Sequence, residues 1–213
     1  MKRNKIYAIV EGHSEAGNAA TRKRPSVVIL IQKLLSSLNC RTLFPNEKQA
    51  PFRISYSEFF KGDKLERALR YHKSFPDCAA VLILLDMDDE CPKEKALALT
   101  TRITGMEPLP FSVVVVCATR EFESWFLASL ETIHINEFYD RDPEEIRDAK
   151  GWLRKRYGYK PTRHQATYTE RIDLDLARKR SRSFRRLYHA FEEILAAANE
   201  DRLIVTPTKQ QTG

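Results

Sequence analysis

Apolar runs that stop abruptly at carboxylates dominate the first half of the chain. Ile6-Tyr7-Ala8-Ile9-Val10 runs into Glu11-Gly12-His13-Ser14-Glu15, and Val81-Leu82-Ile83-Leu84-Leu85 runs into Asp86-Met87-Asp88-Asp89-Glu90. A strand buried on both faces of a parallel sheet reads as such a continuous hydrophobic run. The first strand is predicted over 5–10 and the third, the clearest, over 79–85. Between them Pro25 suits a first helical turn, and Val27, Val28, Leu30, Ile31, Leu34, Leu35 and Leu38 then follow helical spacing. Residues 41–56 are ambiguous, with 52–56 readable as a second strand. A helix is predicted over 63–75, with Leu65, Ala68, Leu69 and His72 on one face. Further on, the pattern gives a helix over 92–103, a valine-rich fourth strand over 111–117 and an apolar helix over 121–130. After Leu130 the only strand-like run is Leu203-Ile204-Val205. Residues 142–199 read as three or four helices. The strongest is 183–199, where Phe184, Leu187, Tyr188, Phe191, Ile194 and Leu195 form a stripe that fits core packing.

Strands alternating with helices imply right-handed crossovers and a parallel sheet. The expected fold class is therefore α/β: a Rossmann-like parallel sheet flanked by helices, with a C-terminal helical extension. The expected division is a catalytic domain over 1–135, a basic helical extension packed on it over 136–205, and a disordered tail over 206–213. No internal repeat or low-complexity tract interrupts this.

Composition sharpens the picture. Charged residues make up 31% of the 213, and the longest apolar runs fall well short of a bilayer span, which takes about 20 residues. The basic start Met1-Lys2-Arg3-Asn4-Lys5 leads into a strand without a cleavage site, so no signal peptide is read there. Cys40, Cys78, Cys91 and Cys117 are scattered without metal-ligand spacing, which fits free thiols in a reducing cytoplasm. The net charge is +7, but residues 147–188 carry 14 Lys/Arg against 4 Asp/Glu, leaving the remainder slightly acidic. Such segregation favours a polyanionic partner, nucleic acid above all.

The chemistry follows from where the strands end. In an open parallel sheet ligands bind beyond the carboxyl ends of the strands. Two adjacent strands of this kind collect Glu11, Glu15, Asp86, Asp88 and Asp89 at one rim. Carboxylates so crowded repel unless protonated or bridged by a cation, and magnesium takes oxygen ligands. The spacing therefore suggests a magnesium site and phosphate chemistry. Two rival readings fit less well. Gly12 and Gly17 have P-loop spacing, but Asn18 and Ala19 stand where lysine and a hydroxyl are required. A phosphoacceptor receiver would need its acid pair after the first strand and a single aspartate after the third.

Glu-Gly after a first strand, then Asp-x-Asp after a hydrophobic third strand, resembles the Toprim domain of type II and IA topoisomerases, bacterial primases, recombination mediators and overcoming-lysogenization-defect nucleases. The second glutamate, Glu15, resembles the nuclease branch. The chain is more similar still to the DUF4276 family. The shared features are the Glu11/Glu15 pair, Asp86-Met87-Asp88-Asp89, Arg120-Glu121-Phe122-Glu123-Ser124-Trp125-Phe126-Leu127-Ala128, Tyr159-Lys160-Pro161-Thr162 with Gln165, and Ser181-Arg182-Ser183-Phe184-Arg185-Arg186. One departure is a polar, basic insert over 18–24 before the first helix.

The resemblance implies a Toprim-like nuclease using Mg2+ or Mn2+, with two ions roughly 3.5–4 Å apart clamping the attacking water and leaving oxygen of a phosphodiester. It implies Glu11, Asp86 and Asp88 as catalytic residues and Glu11, Glu15, Asp86, Asp88 and Glu121 as metal ligands. Glu11 could instead serve as general acid/base. Glu123 shares the block with Glu121, and either could charge the first turn of a helix. Arg120, Lys160, Arg178, Arg182, Arg185 and Arg186 are the candidate nucleic-acid contacts, Arg120 alternatively pairing with Asp88. The implied partners are DNA or RNA and an ATPase subunit encoded nearby, in phage or mobile-element defence. A non-catalytic nucleic-acid-binding or protein-interaction module is the alternative. His13 is a weak candidate because hard cations seldom take imidazole, and His72, His134, His164 and His189 lack ligand spacing.

Overall fold

In the computed structural model, which describes residues 3–12 and 24–208, six strands form one all-parallel sheet. They are β1 (Lys5–Val10), β2 (Phe44–Pro45), β3 (Phe52–Arg53), β4 (Cys78–Asp86), β5 (Ser112–Ala118) and β6 (Val205–Thr206). The order across the sheet is β2–β1–β4–β5–β6, and β3 pairs with the other end of β1's free edge. Register is set along the long strands: Val10 lies beside Leu84, and Asp86 beside Ala118.

The described helices are α1 (Ser26–Ser37), α2 (Tyr56–Phe60), α3 (Lys64–His72), α4 (Pro92–Thr104), α5 (Ser124–Leu127), α6 (Leu130–Ile133), α7 (Ala149–Tyr157), α8 (Pro161–Arg171), α9 (Leu174–Arg180) and α10 (Arg182–Asn199). They cover both faces of the sheet, and strand alternation decides what each face buries. Ile6, Ala8, Val10, Leu82, Leu84, Val114 and Val116 pack with α1, α5 and α10. Tyr7, Ile9, Val81, Ile83, Leu85, Val113 and Val115 pack with α2, α3 and α4. With both faces covered, no polar side chain fits mid-strand, which is why β4 and β5 read as unbroken apolar runs.

The α/β class and parallel sheet agree with the sequence pattern, and the differences have local causes. The predicted helix over 121–130 is two short helices, α5 and α6. Buried Ser129 sits between them with φ −135° and ψ 39°, and its hydroxyl accepts the Asp173 N–H at 3.3 Å. The predicted strand over 52–56 is only β3, because Ser55 and Glu58 form a capping box that starts α2. Pairing at β2 was not legible in its two residues.

The C-terminal helices share the core of the sheet. Phe184, Leu187 and Phe191 of α10 lie in the same apolar cluster as β1, β4 and β5. Thr206, placed in the tail by the sequence pattern, is buried in β6, and residues 209–213 lie outside the described residues. Two short devices position these helices. Asp148 caps α7 by accepting the Gly151 N–H at 2.6 Å, and any Cβ at Gly151 would collide with that carboxylate. Gly158 (φ 64°) ends α7 in the left-handed conformation that glycine adopts without strain.

Phe184 is fully buried and meets Trp125 edge-on at a centroid distance of 5.3 Å. Phe184→Ala is expected to lower unfolding free energy by about 3–5 kcal/mol, measured by urea denaturation. A loss under about 1 kcal/mol would mean that α10 is not part of the sheet's core.

Candidate functional site

The candidate site lies at the carboxyl ends of β1, β4 and β5. Glu11 directly follows Val10, which is in register with Leu84, and Asp86 ends β4. Neighbouring strands lie about 4.8 Å apart, so Glu11 and Asp86 share one stretch of rim. Asp86 Oδ1 accepts the Phe122 N–H at 2.9 Å, tying the end of β4 to the segment after β5. The backbone continues that tie: Met87 N donates to the Ala118 and Arg120 carbonyls, and Asp88 N to the Arg120 carbonyl, all at 3.1 Å. Asp88 itself has φ 46°. Few side chains other than Asn and Asp tolerate that left-handed conformation. It turns the chain outward, leaving Asp88, Asp89 and Glu90 exposed.

Several acids of this rim have basic partners. Asp89 pairs with Arg120 and, at 3.2 Å, with Arg147. The Arg120 guanidinium also donates to the Asp88 and Glu144 carbonyls, so it braces the 88–89 turn. The Glu121 carboxylate accepts the Lys150 backbone N–H at 2.9 Å, with Lys150 Nζ at 3.5 Å. Glu123 is fully buried, accepts the Tyr159 hydroxyl at 3.0 Å and has Lys150 Nζ at 3.8 Å. Lys150 thus bridges both glutamates. Among the described residues no three Asp, Glu, His or Cys side chains converge as a ready-made metal cage. Glu15, His13 and most of the 18–24 insert lie outside the described residues, and Arg24, its last residue, pairs with Glu47 at 2.8 Å.

Thiol chemistry at the rim is muted. Burial, reinforced by Asp86 and Cys91, pushes the Cys117 thiol up to about 12, so it stays protonated near neutrality. His72 is held below its usual range by burial, despite its Nδ1 contact with the Ala68 carbonyl at 2.7 Å.

A second node was not visible in the sequence. Glu144 is 3% exposed, and its Oε1 accepts from the Ser181 hydroxyl, the Ser183 N–H and the Ser183 hydroxyl at 2.6–2.7 Å. Arg182 Nε lies 3.4 Å from Oε2, and Trp125 Nε1 donates to Ser183 at 2.9 Å. Burial would raise the Glu144 pKa, but the Ser183, Ser181 and Thr119 hydrogen bonds outweigh it and hold the carboxyl below its ordinary 4.5. The node joins the segment after β5, the start of α10 and the loop before α7. Ser181 also caps α10 by accepting the Phe184 N–H at 3.0 Å.

The basic candidates divide. Arg186 pairs with Glu193 at 2.9 Å, Arg178 pairs with Asp175 at 3.2 Å and stacks over Tyr188, and Arg182 leans on Glu144. Arg185 donates to the Arg178 and Lys179 carbonyls, and Lys160 caps α8 with its N–H on His164 Nδ1. Neither Lys160 nor Arg185 has a carboxylate partner among the described residues. Arg182 and Arg186 share a cavity with Lys93.

Fold and rim together define an α/β protein with a six-stranded parallel sheet and an acidic carboxyl-end edge. The family described as Domain of unknown function (DUF4276) matches residues 10–192, and the chain belongs to that family. No curated protein and no solved structure gives a significant match. No described helix is long and apolar enough to cross a membrane.

Glu144→Gln keeps the shape of the node but removes its charge. A carboxyl whose folded pKa is depressed adds stability above its unfolded pKa and loses it as pH falls through the folded value. Glu144→Gln is therefore expected to be less stable than the wild type at pH 7, by about 2 kcal/mol. That gap should shrink below pH 4.5. Chemical denaturation at both pH values checks this, and a gap that widens on acidification would contradict it.

Proposed function

We propose that the protein is a divalent-metal-dependent nuclease with a Toprim-like fold, hydrolysing nucleic-acid phosphodiesters at the β1/β4 edge. The observation that carries this reading is that Glu11 directly follows β1 and Asp86 ends the adjacent parallel strand β4, with Asp88 two residues on. The donor set fits a hard cation: it is all carboxylate, and Mg2+ commonly takes one or two protein carboxylates, completing its shell with waters and substrate phosphates. A converging three-acid cage is thus not required. Glu11, Asp86 and Asp88 would hold the metal, with Glu15 as a further candidate. Bound Mg2+ or Mn2+ would supply charge stabilisation and an activated water.

The chain's own residues account for the rest. The Phe122 N–H fixes one oxygen of Asp86, orienting the carboxylate. Glu121, tied to Lys150, contributes by ordering the segment after β5 more than by ligation. Lys160, Arg178, Arg182, Arg185 and Arg186 supply backbone-phosphate contacts, which give affinity and salt dependence without sequence choice. Arg120 is already engaged with Asp89 and two carbonyls, so its contribution is to hold the turn. An ATPase partner and a role in defence against mobile elements follow from the Toprim resemblance alone. The pairing of Asp89 and Glu121 with basic side chains favours one alternative, a Toprim scaffold that binds nucleic acid without cutting it.

The test is cleavage of supercoiled, linear, single-stranded and transfer-RNA substrates with Mg2+, Mn2+ or EDTA. EDTA, Glu11→Gln and Asp86→Asn are each expected to reduce cleavage by at least about a hundredfold, while nucleic-acid binding changes less than about threefold. Wild-type cleavage by both variants would end the nuclease reading. Binding without cleavage under every metal condition would favour the scaffold.

A further inference from the structure

Many cations of the basic half face carboxylates of the chain itself: Arg156 meets Glu137, Arg178 meets Asp175, Arg180 meets Glu131 and Arg186 meets Glu193. The turn from α7 into α8 is different. Residues 149–169 carry six Lys/Arg and no Asp or Glu. Arg154, Lys155 and Lys160 are exposed there, and none of the three has a carboxylate partner among the described residues. The backbone that carries them is fixed. Gly158 reverses the chain, its N–H bonding the Arg154 carbonyl at 2.9 Å, and the Tyr159 N–H reaches the Leu153 carbonyl at 3.4 Å. Lys160 is thereby brought back beside the last turn of α7. Tyr159 is fully buried with its hydroxyl on Glu123, and the Lys160 N–H is held by His164 Nδ1 at 2.9 Å.

Helix stability does not account for all three cations. Arg154 and Lys155 complement the negative end of α7, but Lys160 stands at the amino end of α8, where the helix dipole disfavours a cation. A membrane surface would need apolar side chains beside the cations. Here Leu153 and Tyr159 are buried, and Trp152 and Tyr157 are half-buried beneath the Arg156 guanidinium. The turn is also fastened to the acidic rim. Lys150, at the start of α7, meets Glu121 and Glu123, and Phe122 between them fixes Asp86. Arg154 and Lys155 follow Lys150 by four and five residues, about 6–8 Å along the helix axis. We propose that the α7–α8 turn is the anchor for a nucleic-acid backbone, with Arg154, Lys155 and Lys160 each on a phosphate. Cations that displace no internal partner hold a polyanion at no cost to the fold. The proposal deepens the nucleic-acid reading above and rests on its binding half alone, since this contact needs neither the rim acids nor a metal.

The test is equilibrium binding of a labelled oligonucleotide, single-stranded and duplex, to the full chain in EDTA across a salt series. A variant carrying Arg154→Ala, Lys155→Ala and Lys160→Ala is expected to bind at least about tenfold more weakly, with a log–log salt slope shallower by about 2–3. A control variant carrying Arg41→Ala, Lys48→Ala and Lys61→Ala loses the same charge from exposed positions elsewhere and is expected to change affinity less than about threefold. Circular dichroism melting reports whether each variant folds, and the three single variants, each expected to flatten the slope by about 0.7–0.9, serve if the triple does not. Whichever form binds more tightly assigns the turn to single strands or to duplex. An unchanged slope in the folded variants, an equal loss in the control, or retention on phosphatidylserine vesicles by a protein that binds no oligonucleotide overturns the proposal. Metal-dependent cleavage with an unchanged slope sinks the anchor and leaves the nuclease reading intact, whereas loss of binding in the variant of a protein that never cleaves does the reverse.

Discussion

Strands that run the same way and are buried on both faces can change from apolar to polar only at their ends. That constraint shapes this molecule. β1, β4 and β5 hold side chains of one register in two apolar clusters, so charge that belongs to them collects beyond Val10, Asp86 and Ala118. Placing Glu11 near Asp86 is then a consequence of strand pairing: one residue of slip would turn every core side chain to the wrong face. The backbone extends this order past the sheet. Met87 and Asp88 donate to the carbonyls of 118 and 120, and Asp86 in turn accepts from Phe122. The rim is thereby a fixed surface built from two loops that would separately be mobile.

The helices after residue 140 are joined to that rim by a buried charge. Glu144 sits where water does not reach, at a desolvation cost only partly recovered through Coulomb attraction to the exposed Arg182. Three short hydrogen bonds from Ser181 and Ser183 are what keep it ionised. Ser183 in turn receives the Trp125 indole, so one carboxylate sets the positions of α5 and α10 together. This also explains why the C-terminal helices share the sheet's core.

How much of this could be read in the sequence depended on whether the signal was local. β1, β4 and β5 were legible because burial on both faces writes itself into consecutive residues, and the Asp86–Asp88 turn was legible because it interrupts that writing. β2 was not, because it is two residues whose pairing is imposed by the free edge of β1, and β3 was legible only as an ambiguous, longer strand over 52–56. The break at Ser129 depends on the backbone of Asp173, and the role of Glu144 depends on serines 37 and 39 positions away. The Glu121 and Glu123 pair was visible as chemistry, but its partner Lys150 was not, since a lysine in a basic segment carries no mark of the carboxylates it meets. The acid–phenol contact between Glu123 and Tyr159 could have been suspected only from two aromatic-rich blocks read together.

The arrangement of charge also limits what Arg120 can do. A guanidinium has five N–H donors; here Nη1 serves the Asp89 carboxylate and the Asp88 carbonyl, and Nε the Glu144 carbonyl. To clamp a phosphate through Nη1 it would have to release Asp89. That exposed pair is worth little by itself, but its release would free the turn that presents Asp88. Arg120 is thus committed first to bracing the turn of the acids. Cations without a carboxylate partner among the described residues, Lys160 and Arg185 among them, lie farther out on the surface. A polyanion held at those distances could approach the carboxylates without displacing the braces that position them.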